Sequence, residues 1–130
     1  TGHDGSMTTI HANSSRDAVS RLENMISLAG IDMPMKALRA QISSAVNLVV
    51  QISRLQDGSR RMVSVTEITG MEGEVISMQE VFRYQRLGLT PDNKIIGRFT
   101  ATGVRSHYSD RFRQWGYDLP TSLFDPMAAE

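Results

Sequence analysis

Cysteine is absent from this 130-residue chain, and lysine nearly so. Without thiols there is no disulfide framework and no thiolate metal ligand, a composition compatible with a reducing compartment. The only lysines are Lys36, after Met35, and Lys94, after Asn93. The Gly-x-x-x-x-Gly-Lys-Ser/Thr loop, whose amides and lysine cradle phosphates, is therefore not encoded in these residues. No apolar run approaches the roughly 20 residues of a membrane span, and no signal-peptide pattern opens the chain. Serines are plentiful, but there is no Gly-x-Ser-x-Gly elbow, and no His-Glu-x-x-His. An excess of one charge is also missing: 14 basic residues face 14 acidic ones. The balance is local as well, with four of each sign in residues 1–50, five of each in 51–86 and five of each in 87–130. Interleaving of this kind argues against a nucleic-acid stripe or a basic membrane anchor, which need sustained fields of one sign. Twelve of the fourteen bases are arginine, which favours bidentate pairing with carboxylates within or between subunits.

What the chain does have is concentrated at its start. Gly2 and Gly5 allow the backbone to turn tightly around His3 and Asp4. Ser6 to Ala12 reads as a short strand of small, β-branched and apolar residues, with Met7, Thr9 and His11 on one face and Thr8, Ile10 and Ala12 on the other. Asn13, Ser14 and Ser15 are good helix N-caps, and Asp17 favours a first helical turn. A strand ending in His11 and passing into a helix suggests a crossover, and ligands bind outside the carboxyl ends of parallel strands. A histidine in such a place also serves as an ordinary hydrogen-bonded structural residue. A metal site from His3 and His11 lacks further ligands, since His107 is the only other imidazole.

At 40% apolar composition the chain supports one modest core, and residues 1–130 read as a single α/β unit without repeats. Residues 1–14 form the histidine-bearing segment. Residues 15–46 predict two helices: Ala18, Leu22, Met25, Ile26 and Ala29 stripe the first, which Gly30 ends, and Leu38, Ile42, Ala45 and Val46 stripe the second after Pro34. Residues 47–84 predict an antiparallel meander, with strands at 48–55, 62–69 and 76–84 and turns at Asp57-Gly58 and Glu72-Gly73. Residues 85–96 read as loop from Gly88, Pro91, Asp92 and Asn93. A short strand at 98–102 and a helix carrying Tyr108, Phe112 and Trp115 follow, the aromatics reading as a cap on the core or a docking surface.

Gly2-His3-Asp4-Gly5-Ser6-Met7-Thr8-Thr9-Ile10-His11-Ala12-Asn13-Ser14, with Ala18, Arg21, Leu22 and Met25 behind it, resembles the histidine box of the secretion ATPases, the hexameric motors of type II and type IV secretion and pilus assembly. The resemblance is nearest to the tight-adherence pilus branch, the CpaF proteins. It continues through Ala45-Val46-Asn47-Leu48-Val49-Val50-Gln51 and Glu67-Ile68-Thr69-Gly70-Met71-Glu72-Gly73, then weakens beyond Tyr84, although Gly97-Arg98-Phe99 and the Leu-Pro-x-x-Leu-Phe ending at Phe124 also fit. It implies the C-terminal part of a RecA-like motor domain, with ATP and Mg2+ as cofactors of the whole protein. It further implies a homo-hexamer working with inner-membrane platform proteins, cytoplasmic and peripheral to that membrane. His11 and His3 would then act near the γ-phosphate, with Gly5, Thr8 and Thr9 shaping the nucleotide side. Since the phosphate loop and acidic segment would lie before Thr1, the chain is expected to be inactive by itself. The alternatives from other classes are a non-catalytic assembly module and a motor exporting DNA or effector proteins.

Overall fold

The computed structural model describes residues 5–128. Helix α1 (Ser15–Leu28) and helix α2 (Met35–Ala45) precede four strands: β1 (Leu48–Arg54), β2 (Arg60–Glu72), β3 (Val75–Leu89) and β4 (Ile95–Ala101). A short helix α3 (Ser109–Gln114) and a 3-10 turn (Thr121–Phe124) complete it. The strands lie in the order β1-β2-β3-β4, every neighbouring pair antiparallel, so the expected three-stranded meander of residues 47–84 gains β4 as a fourth strand to make the sheet of the described residues. No helix among these residues is long and apolar enough to cross a membrane.

Helix α1 begins where side chains satisfy its first free amides. Ser14 is the N-cap, its Oγ accepting from the Asp17 amide at 3.0 Å, and the Asp17 carboxylate accepts in turn from the Asn13 amide at 2.8 Å. That reciprocal arrangement satisfies two amides at once. The Asn13 bond, aided by Arg21, holds the Asp17 carboxyl below its ordinary range. Gly30, at φ +81°, follows the helix in a left-handed conformation that costs glycine nothing. The buried stripe of α1 is Ala18 and Val19, flanked by Leu22 and Ile26, whereas Met25 faces out.

Both helices lie on one face of the sheet. Val19, Leu38, Ile42, Ile68 and Ile76 form the core there, with Val49, Met71 and Met78 packed around it. The other face is covered near β3 and β4 by the C-terminal segment, where Phe82 meets Phe99 and Phe124 at centroid distances of 5.8 and 5.9 Å. Alternation along β2 serves both faces: Thr66 and Ile68 turn to the helices and Glu67 to the C-terminal segment, and all three are buried.

Several expectations are corrected. Residues 5–12 form no regular strand and are almost wholly exposed. A strand needs backbone pairing, and among the described residues this segment pairs with no strand of the sheet, although it lies beside the edge strand β1. No parallel pair forms among the described residues, so the crossover is not seen. Residues 85–96 are mostly strand: β3 runs to Leu89 and β4 starts at Ile95, leaving only a tight turn at 90–94. Gly88 had suggested loop, but it sits beside a register shift between Arg86 and Gly88, a place where a sheet accommodates glycine. Trp115 is 63% exposed and meets Phe112 edge-on at 6.0 Å, so the aromatics of α3 do not cap the core.

Candidate functional site

The segment before α1 crosses the open edge of β1 and is held at two points. Its C-terminal end is fixed by the Asn13–Ser14–Asp17 cap. One residue earlier, Gln51 on β1 donates its Nε2 to the Ala12 carbonyl at 2.9 Å. Ser15 adds a hydroxyl bond to the buried Thr66 at 3.2 Å, locking the first turn of α1 to β2. These contacts place Thr8, Thr9 and His11 along a cleft of about 380 Å³ whose far walls are α1 and β1. Leu48, Val50 and Ile52, exposed by 46 to 63%, make the β1 side apolar.

The cleft thus brings together three of the five residues expected at the site. The imidazole of His11 and the two threonine hydroxyls supply hydrogen-bond donors against an apolar wall. Gly5, at φ +95°, adopts the left-handed backbone that favours glycine, but it does not line the cleft. His3 lies outside the described residues. A donor set of this kind can meet an anion from one side. No carboxylate lines the cleft, and no cluster of three His, Cys, Asp or Glu suited to a metal occurs among the described residues. The cleft lining among the described residues therefore offers polar donors but no carboxylate that could hold a Mg2+ ion.

In the sequence Gln51 lies within the predicted strand 48–55 and ends the resembling segment Ala45–Gln51, and its bond depends on Ala12, 39 residues away. A second polar centre was not foreseen. Glu67 is 2% exposed and accepts from the His107 amide at 3.1 Å, the His107 ring Nδ1 at 2.5 Å and Gln79 Nε2 at 3.2 Å. Burial pushes the Glu67 carboxyl up, but bonds from Ser106, His107 and Gln79 outweigh it and hold the group below its ordinary range. Next to it the Tyr108 hydroxyl accepts from Asn47 at 2.8 Å, and the His107 and Tyr108 rings lie 3.9 Å apart. Together these bonds latch the C-terminal segment to β2. The available signal was a glutamate set within the apolar and β-branched run Val63–Thr69.

A histidine-bearing segment is thus tied to a helix start and to a sheet edge, beside a largely apolar cleft that Thr8, Thr9 and His11 also line. The chain belongs to the Type II/IV secretion system protein family, which matches residues 1–99. It is similar to a protein of Mycobacterium tuberculosis strain H37Rv whose name assigns it to conjugal transfer, 33% identical over 75 residues, covering 58% of this chain and 21% of the relative. The corresponding protein of strain CDC 1551 matches to the same extent. The conjugal transfer protein TrbB of Rhizobium radiobacter is 37% identical over 73 residues, covering 56% of this chain and 20% of the relative. The match thus spans about a fifth of the length of these curated relatives.

Proposed function

We propose that the chain is the C-terminal part of the motor domain of a type II/IV secretion ATPase, and that the His11 segment reports the γ-phosphate to the rest of the subunit. The observation that carries this reading is the joint placement of Thr8, Thr9 and His11 on one cleft, in a chain of this family. In the whole protein a RecA-like core would supply the phosphate loop and the carboxylates that hold Mg2+, neither of which the cleft provides. ATP and Mg2+ supply the phosphoryl chemistry when bound. This chain's own contribution is to orient donors: Gln51 and the α1 cap hold the backbone, and His11 presents its ring.

The working assembly in this reading is a homo-hexamer against inner-membrane platform proteins, peripheral to the membrane. The resemblance of the histidine box to the tight-adherence branch supports pilus assembly as the output. The conjugal-transfer names of the relatives favour a second reading within the same mechanism, export of DNA or effector proteins. Calorimetry with Mg-ATP tests the division of labour. The 130-residue chain is expected to show negligible heat, and the whole protein to bind and hydrolyse. Micromolar binding by the chain alone would mean that its nucleotide site is complete, against this proposal.

A further inference from the structure

The even alternation of charge along the sequence does not survive folding. Antiparallel pairing brings residues 54–61 of β1 and β2 to the same end of the sheet as residues 83–98 of β3 and β4. Arg54, Arg60, Arg61, Arg83, Arg86 and Arg98, half of the chain's arginines, gather there and all are exposed. Among the described residues none of the six forms an ion pair. Of the nearby carboxylates, Asp57 accepts from the Ser59 hydroxyl, the Ser59 amide and the Ile95 amide and feels only the Arg61 charge among the six, and Asp92 accepts from the Thr90 hydroxyl.

Two features set this end apart. Arg54 and Arg60 stand directly opposite each other in the β1–β2 ladder, a like-charge pairing that weakens a sheet unless something anionic lies over it. Gly97 is the second. A Cβ there would come within 2.5 Å of the Tyr84 ring and 2.6 Å of both its hydroxyl and the Gln85 carbonyl oxygen, so glycine serves the close approach of β3 as well as letting Tyr84 lie across β4. Arg61 rests over that ring, 5.2 Å from its centroid. Arg86 is steadied by Gln56, whose Oε1 accepts from its guanidinium at 3.3 Å. Arg54, Gln56, Tyr84 and Arg86 thereby line a cleft of about 310 Å³ with an apolar floor of Val63 and Ile95.

We propose that this cleft is a second anion site, separate from the His11 cleft, which takes the phosphate group of a phosphorylated ligand between Arg54 and Arg86. Guanidinium forks match phosphate oxygens in pairs, and the Tyr84 hydroxyl offers a further donor. The phosphate can come from a free polyphosphate or from a lipid headgroup, and two probes separate the sources. Pyrophosphate binding to the 130-residue chain is measured by calorimetry at low and high salt. Cosedimentation follows with vesicles of neutral lipid and of neutral lipid containing phosphatidylglycerol.

Binding of either phosphate probe is expected, weakened by salt and reduced at least about tenfold in Arg54→Gln/Arg86→Gln. The charge-matched control Arg111→Gln/Arg113→Gln is expected to stay within about twofold of wild type. Tyr84→Phe, which keeps the ring, is expected to fall between them. Competition of vesicle binding by pyrophosphate places both on the one cleft. Absence of binding to both probes overturns the proposal, and so does equal loss in the charge-matched control, which would mean attraction by net charge alone. Neither outcome bears on the His11 cleft, whose residues are untouched by these substitutions.

Discussion

Replacing Glu67 by alanine is expected to cost about 3 kcal/mol of stability. The carboxylate is 2% exposed and holds three donors: the His107 amide, the His107 ring and Gln79. A bond to a charged group contributes about 1.5–3 kcal/mol net, and a buried donor left without a partner costs about 1–3 kcal/mol. The His107 ring is 38% exposed and regains water, so the three do not add in full. About two bonds' worth, or roughly 3 kcal/mol, remains. Unfolding entropy near 2.1 cal/mol/K per residue converts this to a melting-temperature drop of about 10 °C for a chain of this size. Thermal unfolding followed by circular dichroism at pH 7 measures it, with His107→Ala and the double variant closing a mutant cycle. The pH dependence has a definite sign. The folded carboxyl titrates below its ordinary value of 4.5, so its stabilisation is full above that pH and fades as pH falls through the lower folded value. The wild-type and Glu67→Gln melting curves should therefore converge in acid. A drop under about 3 °C in Glu67→Ala, or strict additivity in the cycle, would refute the claim that this pair latches the C-terminal segment.

Removing the Gln51 amide should free the Ala12 carbonyl with little effect on the core. Gln51→Ala is expected to raise hydrogen exchange in residues 12–15 several-fold while the melting temperature moves by less than about 4 °C, since one bond at a partly open site contributes about 1 kcal/mol. Ser14→Ala should destabilise α1 by about 1 kcal/mol, read as a lower denaturant midpoint with an unchanged slope. Asp57 is held at about 2 by the Ser59 hydroxyl, then by the Ile95 and Ser59 amides, from an ordinary value of 3.8. Its contribution is therefore present above pH 3.8 and lost as pH falls through about 2, and Asp57→Asn should flatten the acid limb of the stability profile in that window.

The helices and the meander were legible because local signals agreed with the burial the fold demands. Ser14, Asp17 and Gly30 bracket α1, and Asp57-Gly58 and Gly73 mark the hairpins. The edges of strands were less so: β2 and β3 extend well past the apolar runs, because cross-strand hydrogen bonds carry pairing into the polar stretch Arg60–Arg61 and out to Leu89. Residues 6–12 have strand composition but do not pair with the edge strand beside them, a tertiary condition that composition does not encode. At the candidate site, His11, Thr8 and Thr9 came from the histidine motif. Gln51 did not, since its bond spans 39 positions. The clustering of arginines was hidden for the same reason, as charge balanced along the chain becomes segregated once strands fold back on one another.

The central claim is that His11 acts on the terminal phosphate and not as a structural joint. In the whole protein, His11→Ala should lower kcat by about 10²-fold, the loss typical of one positioned donor, because the contact matters most as charge redistributes in the transition state. Nucleotide Kd and melting temperature should change little, since His11 is exposed and lies outside the core. Measuring kcat, Kd and melting temperature on the same variant decides the matter. Unchanged turnover per folded molecule, with a lowered melting temperature, would contradict the account and leave the segment a structural joint.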